Sequence, residues 1–599
     1  MHMIQKLIKI IKKQHRFNAL NYSAQLSYGI LLAVLPMMMV FYAASGFFFS
    51  EFSDEISSSL EIILPKGMLE FFSTSSATLE NTDFMNGTWA EGNPFLYTWS
   101  LILIAFFIVY AAIRSVRAFM VTSTRVSGFK EKRNFFKLWQ EAFYNAIVLA
   151  VLVFSVIYFY VVTQRQLSLI AEAASLNFLY RIWTVFSYFY LISMLVVIVT
   201  WCYCVFPTIR LKFRQALPGG IFAVGTWLIV IHLVTFLQDR GLWPVGLSEL
   251  TLSVNMIVYI YLFCLILLSG SVVNITFAKL NPFHQKADKL LARESCYYPD
   301  TVIRKGPPVQ KGIIDIKLLY QKYYPERTKK ERIKAFIDNA IDSLTKTNFP
   351  GICTQLAFYM LCTFVPLVFF LIEFVSRFYI DSQESLLQAL HIYLPNSSYE
   401  YLVSEMSEMV KYVEHNQAFM GFSALVMASI SMYSILAGIN QTYGFDRYRY
   451  RRALWFRSMF FTLFLAMGTT VLMVLYSISE SVRSWIHSLL IIGLPDAFSA
   501  RLFAILFSEF VLFLFIMAIY VAAPEKPYRI RQVLPGTIFA VLAISIVFRI
   551  YMFFLNRSIT YIALYGTQSG LFILLVVLFF FSCVLNIGAK INVIFGQKR

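Results

Sequence analysis

Arg114 and Arg117 stand three residues apart inside a long apolar run, roughly 96–120. Residues at that spacing share a helix face. Two guanidinium groups on one face form a bidentate donor set suited to a phosphate or carboxylate, which is the chemistry needed to hold a phospholipid head group. A charge in an apolar span costs about 2.5–3.5 kcal/mol near the helix centre, so it needs a partner, water or a role. The competing use is snorkelling, because both arginines lie within about ten residues of the end of the run. Glu509, in SEFVLFLFIMAIY, is the matching acid. Carboxylates inside a membrane commonly serve proton relays, although the nearby Arg501 also fits burial at an interface. Glu373 and Arg377 are four apart and suit an ion pair. Arg549 and Lys590 are further charges in apolar runs. Gln25, Gln355, Asn255, Asn274, Asn440, Gln441, Asn586 and Asn592 form an uncharged polar set. Such groups either hydrogen-bond between helices, at about 0.6–2 kcal/mol each, or line a polar cavity. The candidate substrate-binding residues are Arg114, Arg117, Gln25, Gln355, Asn440 and Glu509.

Other chemistries find little support. The seven histidines are scattered, with no HxH or HxxxH pair, whereas a metal-dependent nuclease needs clustered ligands on a water-facing surface. The seven cysteines fall mostly in apolar segments without a CxxC and read as small buried hydrophobes. No GxxxxGK[ST] nucleotide loop is present. No metal, cofactor or catalytic residue is expected.

The elements that position these residues are membrane helices. The chain has 599 residues, 58% hydrophobic and 14% charged, against about 25% charged in soluble domains. The apolar residues lie in runs long enough to span a bilayer. The N-terminal run is too long for a cleaved signal peptide. Residues 1–16 read as a basic amphipathic helix on the membrane surface. The net charge of +18 suits basic loops that hold one side of a membrane better than it suits nucleic acid.

Residues 214–224 read RQALPGGIFAV and residues 531–541 read RQVLPGTIFAV, with nine of eleven positions identical. Such a match marks an internal duplication. AQLSYGILLAVLP (24–36) aligns with TQLAFYMLCTFVP (354–366), pairing Gln25 with Gln355 and Pro36 with Pro366. Tyr203 and Pro207 pair with Tyr520 and Pro524, and GSVVN (270–274) pairs with GAKIN (588–592), hence Asn274 with Asn592. The expected spans are roughly 22–49, 96–120, 143–163, 182–206, 217–237 and 251–277, then 350–379, 418–443, 456–478, 502–523, 534–556 and 567–593. This is an all-α polytopic membrane protein of about twelve spans, with a first six-span unit at 1–279, a cytoplasmic linker carrying an amphipathic helix at 280–346, and a second unit at 347–599. The Lys/Arg bias places both termini and the linker in the cytoplasm. An even number of spans per unit makes the repeats parallel. In the twin motif, Arg214 and Arg531 suit anchoring to anionic lipid. Gln215 and Gln532 stand beside them. Pro218 and Pro535 suit a first helical turn, and Gly219 and Gly536 allow close packing. The outer segments 51–73 and 381–414 carry amphipathic stretches that suit the outer leaflet or a lid.

The Gln-Leu-Ser-Tyr opening followed by Pro36, the Pro-Gly at the start of the fifth span, and the Gly-Ala-x-x-Asn ending resemble the YihY/BrkB family of bacterial inner-membrane proteins, once labelled ribonuclease BN. The resemblance covers nearly everything except the linker and implies two tandem family units fused. The family ending commonly carries a glutamate, where this chain has Val272 and Lys590. The resemblance implies a multi-pass inner-membrane protein that moves or presents a lipid or amphiphile. The alternatives are a proton-coupled transporter of a small polar solute or ion, using Glu509, and a non-transporting envelope scaffold. Membrane lipids and an envelope protein are the expected partners, with no nucleic acid. The sequence leaves the oligomeric state open, and two repeats in one chain can replace a homodimer, which is compatible with a monomer.

Overall fold

The computed structural model describes residues 19–48, 64–65, 94–127, 129, 131, 133–173, 177–240, 249–277, 349–362, 417–443, 451–477, 496–524, 528–557 and 569–596. The basic segment 1–16, the linker 280–346, the Glu373–Arg377 pair, the outer segment 381–414 and nearly all of 51–73 lie outside them.

Among the described residues every regular element is a helix and none is a strand. A helix stands at each of the twelve expected spans. In the first half these are α1 (Ala19–Phe48), α2 (Pro94–Val126), α3 (Phe135–Ala173), α4 (Asn177–Val205), α5 (Phe213–Asp239) and α6 (Glu249–Phe277). In the second they are α7 (Phe349–Cys362), α8 (Gln417–Thr442), α9 (Arg451–Ser477), α10 (Asp496–Ala522), α11 (Ile530–Arg557) and α12 (Ser569–Gly596). Six described stretches are long and apolar enough to cross a membrane, in α3, α4, α5, α6, α11 and α12, and shorter apolar stretches lie in α7, α9 and α10. The reason is solvation: hydrocarbon offers backbone N–H and C=O groups no partner, so an apolar run satisfies them within itself by coiling. The chain is a multi-pass helical membrane protein.

Two compact units result, Met1–Pro282 with Asn556–Val576, and Phe283–Leu555 with Val577–Arg599. In unit 1 the helices neighbour one another in chain order, α1 on α2, α2 on α3, and so on to α5 on α6, and α6 closes the ring on α1 and α2. The apolar core of α6 is 72% buried, and that of α3 only 11%. Hence α6 is the axis of the unit and α3 its most lipid-facing helix, with Phe154, Tyr158 and Phe159 all exposed. In unit 2, α8, α9 and α10 pack together, and Tyr520, Val533 and Ala589 lie in one buried core.

One local expectation is corrected. Pro218 and Pro535 do not sit in a first helical turn, because α5 starts at Phe213 and α11 at Ile530, which places each proline inside its helix. The early start follows from capping. The Gln215 side-chain oxygen accepts from the Lys212 backbone N–H at 3.1 Å, and Gln532 does the same for Arg529 at 2.9 Å. A glutamine three residues into a helix that reaches back in this way satisfies one orphan donor of the terminus.

Candidate functional site

The two copies of the motif build the same joint. In unit 1 the Gly219 N–H donates to Asn274 Oδ1 at 2.6 Å, and in unit 2 the Gly536 N–H donates to Asn592 Oδ1 at 2.8 Å. Beside each joint a fully buried tyrosine ties in another helix: Tyr203 donates to the Leu267 carbonyl at 2.6 Å and Tyr520 to the Leu585 carbonyl at 2.8 Å. The helices touch through their backbones. A Cβ placed on Gly219 would come under 3.0 Å from the Gly270 carbonyl and from the Asn274 amide, and one on Gly536 would meet Gly588 and Asn592 equally closely. Arg214 and Arg531 are exposed, each in the first turn of its own motif helix. Pro36 lies within α1, and Pro366 is outside the described residues.

The joints differ in one respect. Asn592 uses its Nδ2 to donate to the Tyr443 hydroxyl at 3.1 Å, and Tyr443 packs against Tyr528 with ring centroids 5.0 Å apart. In unit 1 Asn274 Nδ2 and the neighbouring Ser271 Oγ are buried without a hydrogen-bond partner. A narrow cleft lies there, lined by Thr124, Ser127, Phe129, Tyr203, Ser271 and Asn274 among others.

Next to the cleft is an ionic network that the sequence did not disclose. Arg133 grips both carboxylate oxygens of Glu131, Nε to Oε1 and Nη2 to Oε2, each at 2.8 Å. It also donates to Glu141 at 2.9 Å and to the Phe206 carbonyl at 3.1 Å. The Thr208 hydroxyl donates to Glu131 at 3.0 Å, and the Thr208 N–H donates to the Thr124 hydroxyl at 3.1 Å. The Glu131 and Arg133 side chains are only 10% and 9% exposed, so the pair is effectively buried. Burial disfavours the Glu131 carboxylate, yet the hydrogen bonds from Arg133 outweigh it and hold the acid below its usual range. Burial likewise works against the Arg133 charge, and the two carboxylates more than restore it. The network locks the α2–α3 loop and the start of α3 to the α4–α5 loop. Its only sequence signal was the charge-dense run 125–137, which reads equally well as a solvated basic loop.

The six candidate substrate-binding residues divide evenly between the units: Gln25, Arg114 and Arg117 in unit 1, and Gln355, Asn440 and Glu509 in unit 2. Arg117 packs against an aromatic ring of α3. Its guanidinium lies 4.8 Å from the centroid of the Trp139 ring, and Trp139 stacks on Tyr110 at 5.6 Å. Both Arg114 and Arg117 are half-buried on α2. Gln25, Gln355 and Asn440 are buried. Glu509, half-buried on α10, meets Ser545 on α11, whose hydroxyl lies 2.5 and 2.6 Å from the two carboxyl oxygens. Elsewhere in unit 2, polar side chains bond helices together: Thr442 of α8 donates to Asn586 Oδ1 of α12 at 2.5 Å, and Ser582 of α12 donates to the Cys353 carbonyl of α7 at 2.6 Å, while Asn586 Nδ2 donates within α12 to the Ser582 carbonyl at 2.9 Å. Arg549 is exposed and Lys590 half-buried. Among the described residues no group of three or more His, Cys, Asp or Glu is placed to hold a metal ion.

A family model described as Virulence factor BrkB matches the chain twice over, at residues 10–293 and 340–599. The chain is also similar to the ribonuclease-like protein YfkH of Bacillus subtilis (strain 168), at 24% identity over 250 residues. That stretch is 41% of this chain and 89% of YfkH, so YfkH is about as long as one half of this chain. No solved structure matches.

Proposed function

We propose, because the chain belongs to the BrkB family, that this multi-pass membrane protein moves or presents a lipid or amphiphile. The observation that carries the reading is the arginine pair on α2. Trp139 fixes the Arg117 guanidinium at 4.8 Å, with Arg114 one turn away, beside the most lipid-facing helix of unit 1. A guanidinium oriented by an aromatic face is pre-organised for a phosphate oxygen and loses little entropy on binding it. The apolar, aromatic surface of α3 then offers acyl chains a wall. The basic ends of the helices, with Arg214 and Arg531, face the cytoplasm of a bacterial inner membrane on this reading, since positive loops are retained there. Both units in one chain suit a monomer working with an envelope protein.

The deciding experiment is purification in native lipid, followed by mass spectrometry of the bound lipids, comparing wild type with the Arg114→Ala/Arg117→Ala double variant. The reading expects bound phospholipid to fall several-fold. Unchanged occupancy in a folded variant rejects it.

A second reading rests on Glu509. The Ser545 hydroxyl has one proton to give, while two carboxyl oxygens and the Val541 carbonyl, at 2.9 Å, all lie within reach. That surplus of acceptors suits a site that takes up and releases a further proton. Glu509→Gln should then abolish the pH dependence of any transport, and an unchanged pH profile rejects proton coupling.

A further inference from the structure

We propose that unit 1 holds a bound water at its basic end, on Asn274 and Ser271, in a polar site that unit 2 has closed with its own tyrosine. Asn274 and Asn592 occupy equivalent places in the two units. Each commits its Oδ1 to a glycine N–H and is left with an amide NH₂ group inside the protein. In unit 2 the Tyr443 hydroxyl accepts from it at 3.1 Å. The Gly-Phe pairs at 128–129 and 444–445 align Ser127 with Tyr443, the twin motif aligns Leu211 with Tyr528, and GSVVN with GAKIN aligns Ser271 with Ala589. Unit 2 therefore fills this place with two packed tyrosine rings and a buried alanine. Unit 1 puts two smaller side chains there and adds a hydroxyl.

The consequence is visible in unit 1. Asn274 Nδ2 and Ser271 Oγ have no partner, although Asn274 is fully buried and Ser271 is 3% exposed. A buried polar atom left unpaired costs about 1–3 kcal/mol, and native proteins rarely leave two side by side. The cleft between them has room for about one water. Thr124 and Ser127 line it with them, so Asn274 Nδ2 and Ser271 Oγ face a small volume with other polar side chains around it, as a trapped water requires. The ligand chemistry is thus an oxygen acceptor of water size, and among solutes the group able to displace the water is a hydroxyl. The walls formed by Pro207, Ile209 and Leu211 belong to the loop before α5, so the site is reached from the basic end of the unit. The two units are unequal: one keeps a hydrated pocket and the other is dry.

This inference is independent of lipid binding at Arg114 and Arg117. Radiolytic hydroxyl-radical footprinting of the full chain in lipid nanodiscs tests it, because radicals arise from water already in place and peptide mass spectrometry locates the modification. Tyr203 should be modified several-fold faster than its counterpart Tyr520. Ser127→Tyr should slow Tyr203 to the rate of Tyr520. Tyr443→Ser, the reverse change, should speed Tyr520 and decides the matter if Ser127→Tyr fails to fold. Equal modification of the two tyrosines in the wild type overturns the proposal without any variant, and so does a Tyr203 rate that Ser127→Tyr leaves unchanged.

Discussion

Replacing Gly219 by alanine adds one methyl group at the tightest point of unit 1. That methyl would lie under 3.0 Å from the Gly270 carbonyl and from the Asn274 amide. A carbonyl in the middle of a helix cannot swing aside, so α5 and α6 must separate. Overpacking of this kind costs about 1–3 kcal/mol. Separation also stretches the 2.6 Å bond from the Gly219 N–H to Asn274, and a buried amide that loses its acceptor costs about 1–3 kcal/mol more. Alanine returns about 1 kcal/mol in helix propensity. The net loss is about 3 kcal/mol, or a fall of roughly 6–12 °C in melting temperature by the scaling for domains of a few hundred residues. The assay is an apparent melting curve in lipid-supplemented detergent at one fixed scan rate, since unfolding of such proteins is seldom reversible. Gly536→Ala should behave alike, because Gly588 and Asn592 crowd it in the same way. Gly225, on the same helix, has nothing within 4 Å of the place an added methyl would take, and Gly468 is equally open, so alanine at either should be neutral or mildly stabilising. A Gly219→Ala protein that melts with the wild type, or a Gly225→Ala protein that falls as far, would refute the backbone-contact account.

Arg133→Ala should lower stability by about 3 kcal/mol in the same assay, because it strands the buried Glu131 carboxylate. The same pair sets an acid limb. Since Glu131 titrates below its ordinary value of 4.5 in the folded protein, its contribution is fully present above that value and is lost as pH falls through the lowered one. Melting temperature plotted against pH should therefore decline on the acid side, and Glu131→Gln should flatten that decline while lowering the plateau. Tyr203→Phe and Tyr520→Phe each remove a hydroxyl that donates to a helix carbonyl, and each should cost about 0.5–1.5 kcal/mol by the same melting measurement. Gln215→Ala removes the acceptor for the Lys212 N–H, and a loss of about 1 kcal/mol is expected, as for other N-terminal caps. A Gln215→Glu variant should retain most of the stability.

What the sequence disclosed, and what it withheld, follows from the range of each interaction. Helix positions were legible because an apolar run in hydrocarbon has one way to satisfy its backbone. The joint at α5 and α11 was legible in place, since Pro-Gly after a basic loop is a local signal repeated twice, but that signal alone puts Pro218 in the wrong turn. The residue that starts the helix is Gln215, whose capping role depends on one side chain reaching the Lys212 N–H, and a glutamine in a polar loop does not announce that. Arg117 was recognisable as a costly cation but not as a neighbour of Trp139, because residues in successive helices meet according to helix rotation, which spacing within one helix leaves open. The same holds for Glu509 with Ser545, 36 residues apart, and for Arg133 with Phe206, 73 apart. The Ser127–Tyr443 difference is the instructive case. The alignment that exposes it was available in the Gly-Phe pairs, yet a serine opposite a tyrosine at a loop edge carries no meaning until Asn592 is seen to need that hydroxyl. A repeat thus tells more through its mismatches than its identities. Where RQxLPG is the same twice, it reports a joint that both units require. Where Ser127, Leu211 and Ser271 depart together from Tyr443, Tyr528 and Ala589, three changes converge on one small volume, and the physical need they share is a place for water.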